Sequence, residues 1–100
     1  MIENLTSSMF AEHLNTTFRV TAGPSKIVEM ELFDVLDVST ERQERFSILF
    51  RGPHGMLLEQ RIYTFEHDKM GTFDLFIVPI GVDEDGYTYE AVFNRVIKKK

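Results

Sequence analysis

The fold class the sequence predicts is mainly β: a small antiparallel six-stranded barrel-like roll, or alternatively a two-layer sandwich, with one short N-terminal helix. Three observations carry this expectation. After Thr17 apolar and polar side chains alternate with a period of two, the pattern of half-buried strands. The six glycines fall between these alternating runs rather than inside them. No second helical stretch is long enough for a parallel crossover, which leaves an antiparallel meander whose apolar faces are best hidden by rolling up.

Helical periodicity is confined to about 6–14, where Leu5, Met9, Phe10 and Leu14 fall on one side. Thr6 is the expected N-cap, which puts Leu5 and Phe10 at the spacing of a hydrophobic staple, and Asn15 is the expected stop. Strands are expected at about 17–21, 26–38, 45–51, 60–67, 72–80 and 87–96. In the second, Val28, Met30 and Leu32 share a face before the phase shifts to Phe33 and Val35, which predicts a bulge near Leu32. In the third, Phe46, Ile48 and Phe50 oppose Ser47, Leu49 and Arg51. Tyr63 and Phe65 share a face of the fourth, and Phe73, Leu75 and Ile77 share one of the fifth, opposite Phe76 and Val78. Pro79 lacks the N–H of a ladder donor and so marks an edge, a bulge or a strand end. The last strand aligns Tyr87, Tyr89, Ala91 and Phe93.

Composition fits one domain over residues 1–100. A chain of this size buries roughly 65% of its unfolded surface, and 43% apolar residues with nine Phe supply the core. Cysteine is absent, which removes disulfides, thiolate chemistry and sulfur-ligated zinc. No leader or membrane span is visible, since Glu3 stands where a basic stretch would be and no apolar run is long enough; the cytoplasm is the expected location. A formal net charge of −5 opposes phosphate contacts, so nucleic acid is not an expected partner, and without a spanning run neither is a membrane. The exception, Lys98, Lys99 and Lys100, reads as a solvated terminus rather than a binding arm.

Five segments, LTSSMFAEHLNTTFRV, FSILFRGP, YTFEH, LFIVPIG and YEAVFN, together span Leu5 to Asn94. In combination they resemble a bacterial family of domains of unknown function of about this length. The family tends to carry Gly at the position of Arg61 and Pro at that of Asp68, departures that alter turns. The resemblance implies a shared fold and no activity to carry over. It also implies an assembly role, since members accompany phage-tail-like genes.

Several groups can be tested for chemistry. His67 stands between Glu66 and Asp68, but on a strand the imidazole and the two carboxylates point to opposite sides, so a bond from His67 to the backbone of the adjacent turn outweighs a metal or general-base role. His13 and His54 have no metal-ligand spacing to it. Asp83 to Gly86 resembles a fragment of a calcium loop without its remaining ligands and reads as a hairpin turn. Ser47 has no nucleophile elbow, and RGPHG precedes a strand and lacks the P-loop Lys. Arg51, ending an apolar strand, is expected to anchor a carboxylate such as Glu66 or Glu90, within the chain or on a partner. The strip Tyr87, Tyr89 and Phe93 is either a packing row or, if exposed, a binding patch.

No cofactor, metal or catalytic set is therefore expected. The favoured function is a non-enzymatic structural or protein-interaction module that docks a protein partner or a copy of itself, with Arg51, Glu66, His67, Tyr87 and Tyr89 as candidate contacts. The alternative is a small-ligand-binding or hydrolytic barrel with its site near His67 and Arg51.

Overall fold

The structure, a computed structural model, describes residues 5–97; the lysine tail considered above lies outside them. One helix, α1 (Ser7–Ala11), precedes six strands: β1 (Thr17–Gly23), β2 (Lys26–Asp37), β3 (Gln43–Gly52), β4 (Arg61–His67), β5 (Gly71–Asp83) and β6 (Gly86–Val96). All pairings are antiparallel, and the order β1-β2-β3-β6-β5-β4 closes into a ring because β4 pairs back onto β1. The barrel-like roll is the architecture.

Two long strands make the closure. β2 pairs with β1 up to Glu31 and with β3 from Glu31 onward, its register slipping between Leu32 and Asp34 so that Phe33 is the bulged residue. β5 pairs with β4 up to Ile77 and with β6 from Val78, slipping between Pro79 and Gly81. A bulge bends a strand and adds twist, which lets one strand leave a sheet and enter the next. The first sheet is therefore the start of β2, β1, β4 and the start of β5; the second is the end of β2, β3, β6 and the end of β5. The phase shift at Leu32 in the sequence is the first corner. Pro79 sits at the second, and β5 resumes beyond it to Asp83, three residues past the expected end.

The inward faces of all six strands are buried, and both ends are stoppered. At one end Phe10 of α1 meets the rings of Phe18, Phe46, Phe73 and Phe93 at centroid distances of 5.7–6.5 Å. At the other, Leu58 of the loop between β3 and β4 turns inward, its N–H donating to Tyr89 Oη at 3.0 Å while that hydroxyl reaches the Met56 carbonyl at 3.4 Å. Among the described residues no helix is long and apolar enough to cross a membrane.

Helix α1 starts as read, with Thr6 Oγ1 accepting the Met9 N–H at 3.2 Å and Leu5 and Phe10 both buried. It ends earlier than the expected 6–14, and Leu14 is exposed. The reason is competition from β2. Asn15, in the left-handed region at φ 67°, donates its N–H to the Leu32 carbonyl at 2.7 Å, and the Leu32 N–H returns to Thr16 at 3.1 Å. Bonds to the sheet thus replace the last helical turn.

Phe10→Ala is expected to destabilise the fold by about 3–5 kcal/mol, since it opens a cavity where four rings converge. Met9→Ala, one position away on the exposed side, should change stability by less than about 0.5 kcal/mol. Urea unfolding of the two variants checks the pair.

Candidate functional site

β4 ends at His67, where strand alternation turns the imidazole inward, 5% exposed, and leaves Glu66 and Asp68 outside. Nδ1 accepts the backbone N–H groups of Lys69 and Met70 at 3.0 and 3.2 Å, which fixes the turn into β5. An acceptor at Nδ1 places the proton of the neutral ring on Nε2, which donates to Thr16 Oγ1 at 2.9 Å; the Thr16 hydroxyl donates in turn to the His13 carbonyl at 2.6 Å. The ring also lies 4.4 Å from that of Phe18 and 4.7 Å from that of His13. Burial, and next the neighbouring His13, hold His67 below the ordinary histidine pKa.

Outside this corner, Arg19 on β1 bridges Glu66 at 3.2 Å and Asp68 at 2.9 Å. An open cleft of about 560 Å³ lies between these groups, lined among others by His13, Arg19, Glu29, His67, Asp68 and Lys69. Within its lining Arg19 is paired with Asp68 and Thr16 with His67. Both nitrogens of His67 are committed to hydrogen bonds, so it has no lone pair for a substrate proton, and Arg19 is spent on two carboxylates. Among the described residues no group of three or more His, Asp or Glu side chains is arranged to hold a metal ion.

Arg51 belongs to the other end of the barrel. Its guanidinium lies over the bulged Phe33 ring, 4.0 Å from the centroid, with Nη2 4.0 Å from Asp83 Oδ2. The carboxylate it meets is Asp83 of the β5–β6 turn rather than Glu66 or Glu90. Glu66 is bound by Arg19, and Glu90 faces outward opposite Leu49 and Val78. The turn sits directly on the end of β3: at Gly86, with φ 135°, a Cβ would strike the Gly52 carbonyl oxygen. His54 Nε2 donates to the Asp83 carbonyl and shows its ring edge-on to Tyr87 at 6.2 Å. The thirteen residues of β5 run from the partner of His67 at Gly71 to this corner, so Arg51 and His67 do not form one site. Tyr89, Ala91 and Phe93 point into the core and Tyr87 is half-buried, so the aromatic strip is a packing row and Tyr89 is out of reach of any partner.

A different surface was missed by reasoning from sequence. On the outer face of the first sheet Ile62 and Phe76 are direct cross-strand neighbours, 61% and 49% exposed, with Ile27 exposed farther along the same sheet. The charged row Glu29, Arg19 and Glu66 crosses the same sheet four residues along β4 from Ile62, with Ile27, Thr21, Thr64 and Asp74 in the outward row between. The signal was present in the alternation itself, which sets Ile62 against Tyr63 and Phe76 against Leu75 and Ile77.

The model of one family, described as a domain of unknown function (DUF6916), matches residues 5–93. No curated protein and no solved structure matches the chain.

Because the folded protein holds His67 below its unfolded value, the unfolded chain binds the extra proton first as pH falls. The stability it contributes is therefore intact above about pH 6.5, the ordinary histidine value, and declines below it. His67→Gln should lower stability at pH 8 by about 1–3 kcal/mol through lost hydrogen bonds, and the gap to the parent should narrow toward pH 5. Urea unfolding across that range checks both the size and the slope.

Proposed function

The chain belongs to the DUF6916 family of domains of unknown function, whose model covers nearly all of the barrel, and we propose that it acts as a non-enzymatic protein-interaction module. The observation that carries this reading is the outward-facing pair Ile62 and Phe76 on the wall of a barrel whose interior and both ends are filled by its own side chains. Large apolar groups that are cross-strand neighbours on a surface, next to the polar row of Thr64 and Asp74, have the composition of a docking patch with a polar rim. The partner class is another protein of a larger assembly, of the phage-tail-like kind that the family resemblance implies. On this reading the domain works in the bacterial cytoplasm, a setting in keeping with a cysteine-free chain.

A small-ligand or hydrolytic site near His67 and Arg51 has less behind it. The two residues occupy different ends of the barrel, and a general base needs a free lone pair where His67 has none.

The test is affinity capture from native lysate with the parent chain, an Ile62→Lys, Phe76→Lys double variant, and Glu41→Lys as a control on the exposed β2–β3 turn. The parent and the control should retrieve the same protein partners, and the double variant should lose them by at least about tenfold. Equal retrieval by all three, or a strictly monomeric parent that retrieves nothing, rejects the reading.

A further inference from the structure

The outer face of the second sheet carries a charge pattern that pairs with itself. Its centre is the cross-strand pair Ser47 and Val92, with Leu36 on the far side of Ser47. Val92 is 64% exposed and Leu36 48%, so apolar side chains lie open on either side of the half-buried Ser47. Along the antiparallel strands β3 and β6, Arg45 lies two residues to one side of this pair and Glu90 two residues to the other. At about 3.4 Å per residue the two charges are about 14 Å apart along the strand direction, with the pair midway between them. A hollow of about 160 Å³ lies here, with Val38, Arg45, Glu90 and Val92 on its rim.

The arginines Arg19, Arg51 and Arg95 each reach a carboxylate of this chain within 4.0 Å. Arg45, like Arg42 and Arg61, reaches none among the described residues, and Glu90 reaches no cation. Two charges of opposite sign, set symmetrically about an apolar centre and unpaired within the molecule, are what a two-fold interface requires: every residue i that meets residue j is repaid by j meeting i.

We infer that this face is a self-association surface that binds a second copy of the chain. A two-fold axis lying between two such faces and passing over Ser47 and Val92 brings Arg45 of each copy onto Glu90 of the other. The apolar centres, Val92 and Leu36, close against each other between the two ion pairs. This goes beyond the docking patch on the first sheet and stands or falls independently of it, because its test changes neither Ile62 nor Phe76.

Sedimentation of the full chain over the micromolar range is the measurement. The parent should form dimers, and Arg45→Glu and Glu90→Arg, each alone, should weaken association by at least about tenfold, since each places like charges face to face. Mixing the two single variants should restore dimers as a heterodimer, because Glu at 45 then meets Arg at 90, and Arg45 meets Glu90. Both substitutions lie on the outer face, and an unchanged thermal midpoint shows that the variants fold; Val92→Lys replaces either one that does not, and should also dissociate the dimer. A parent that stays monomeric throughout, single variants that dimerise as well as the parent, or a mixture that fails to associate overturns the inference.

Discussion

A strand has two edges and no more, and this ring of strands of unequal length is closed by two that divide their length between neighbours. Here β2 and β5 carry that burden, each spending its first half in one sheet and its second half in the other, with the change made at Phe33 and near Ile80. Everything else in the molecule follows from those two bends. They set the sheets face to face, turn Phe50, Phe65 and Tyr89 toward a common interior, and leave gaps at the two ends that only α1 and the β3–β4 loop are placed to fill.

The same geometry decides what the polar groups are for. His67 stands where β4 stops, at the rim, and its two nitrogens join three pieces of chain: its own turn, the segment after α1, and through Thr16 the carbonyl of His13. Arg51 holds the opposite rim by lying on the bulged Phe33 and facing Asp83. Both are ionisable side chains at a rim and His67 lines a cleft, features that often mark an active site. In this barrel their surroundings are structural, and the surfaces left without an internal task are on the outer walls.

Much of the fold was legible because period-two alternation maps directly onto a wall with one wet and one dry side. The bulge at Phe33 was readable as a phase slip after Leu32, and the inward turn of His67 as the outcome of its place between two outward carboxylates. The length of α1 was not, because Leu14 continues the helical spacing and only the bond from Asn15 to Leu32, distant in sequence, stops it. The partner of Arg51 was not either. Glu66, Glu90 and Asp83 are equivalent candidates until ring closure places one of them against β3. The exposed pair Ile62 and Phe76 escaped notice because an apolar residue out of phase with the core reads as noise until its cross-strand neighbour is known.

Ring order also has a temporal side. β3 is bordered by β6, so the middle of the second sheet waits for the last strand to be synthesised, and β1 finds β4 only across more than forty intervening residues. Contacts between such distant segments slow folding, because the loops between them must be closed before the contacts form. Until β6 follows, the edge of β3 that it covers in the finished ring has no strand to pair with. That unfinished edge is the point at which a nascent chain is most exposed to mispairing or capture by a chaperone.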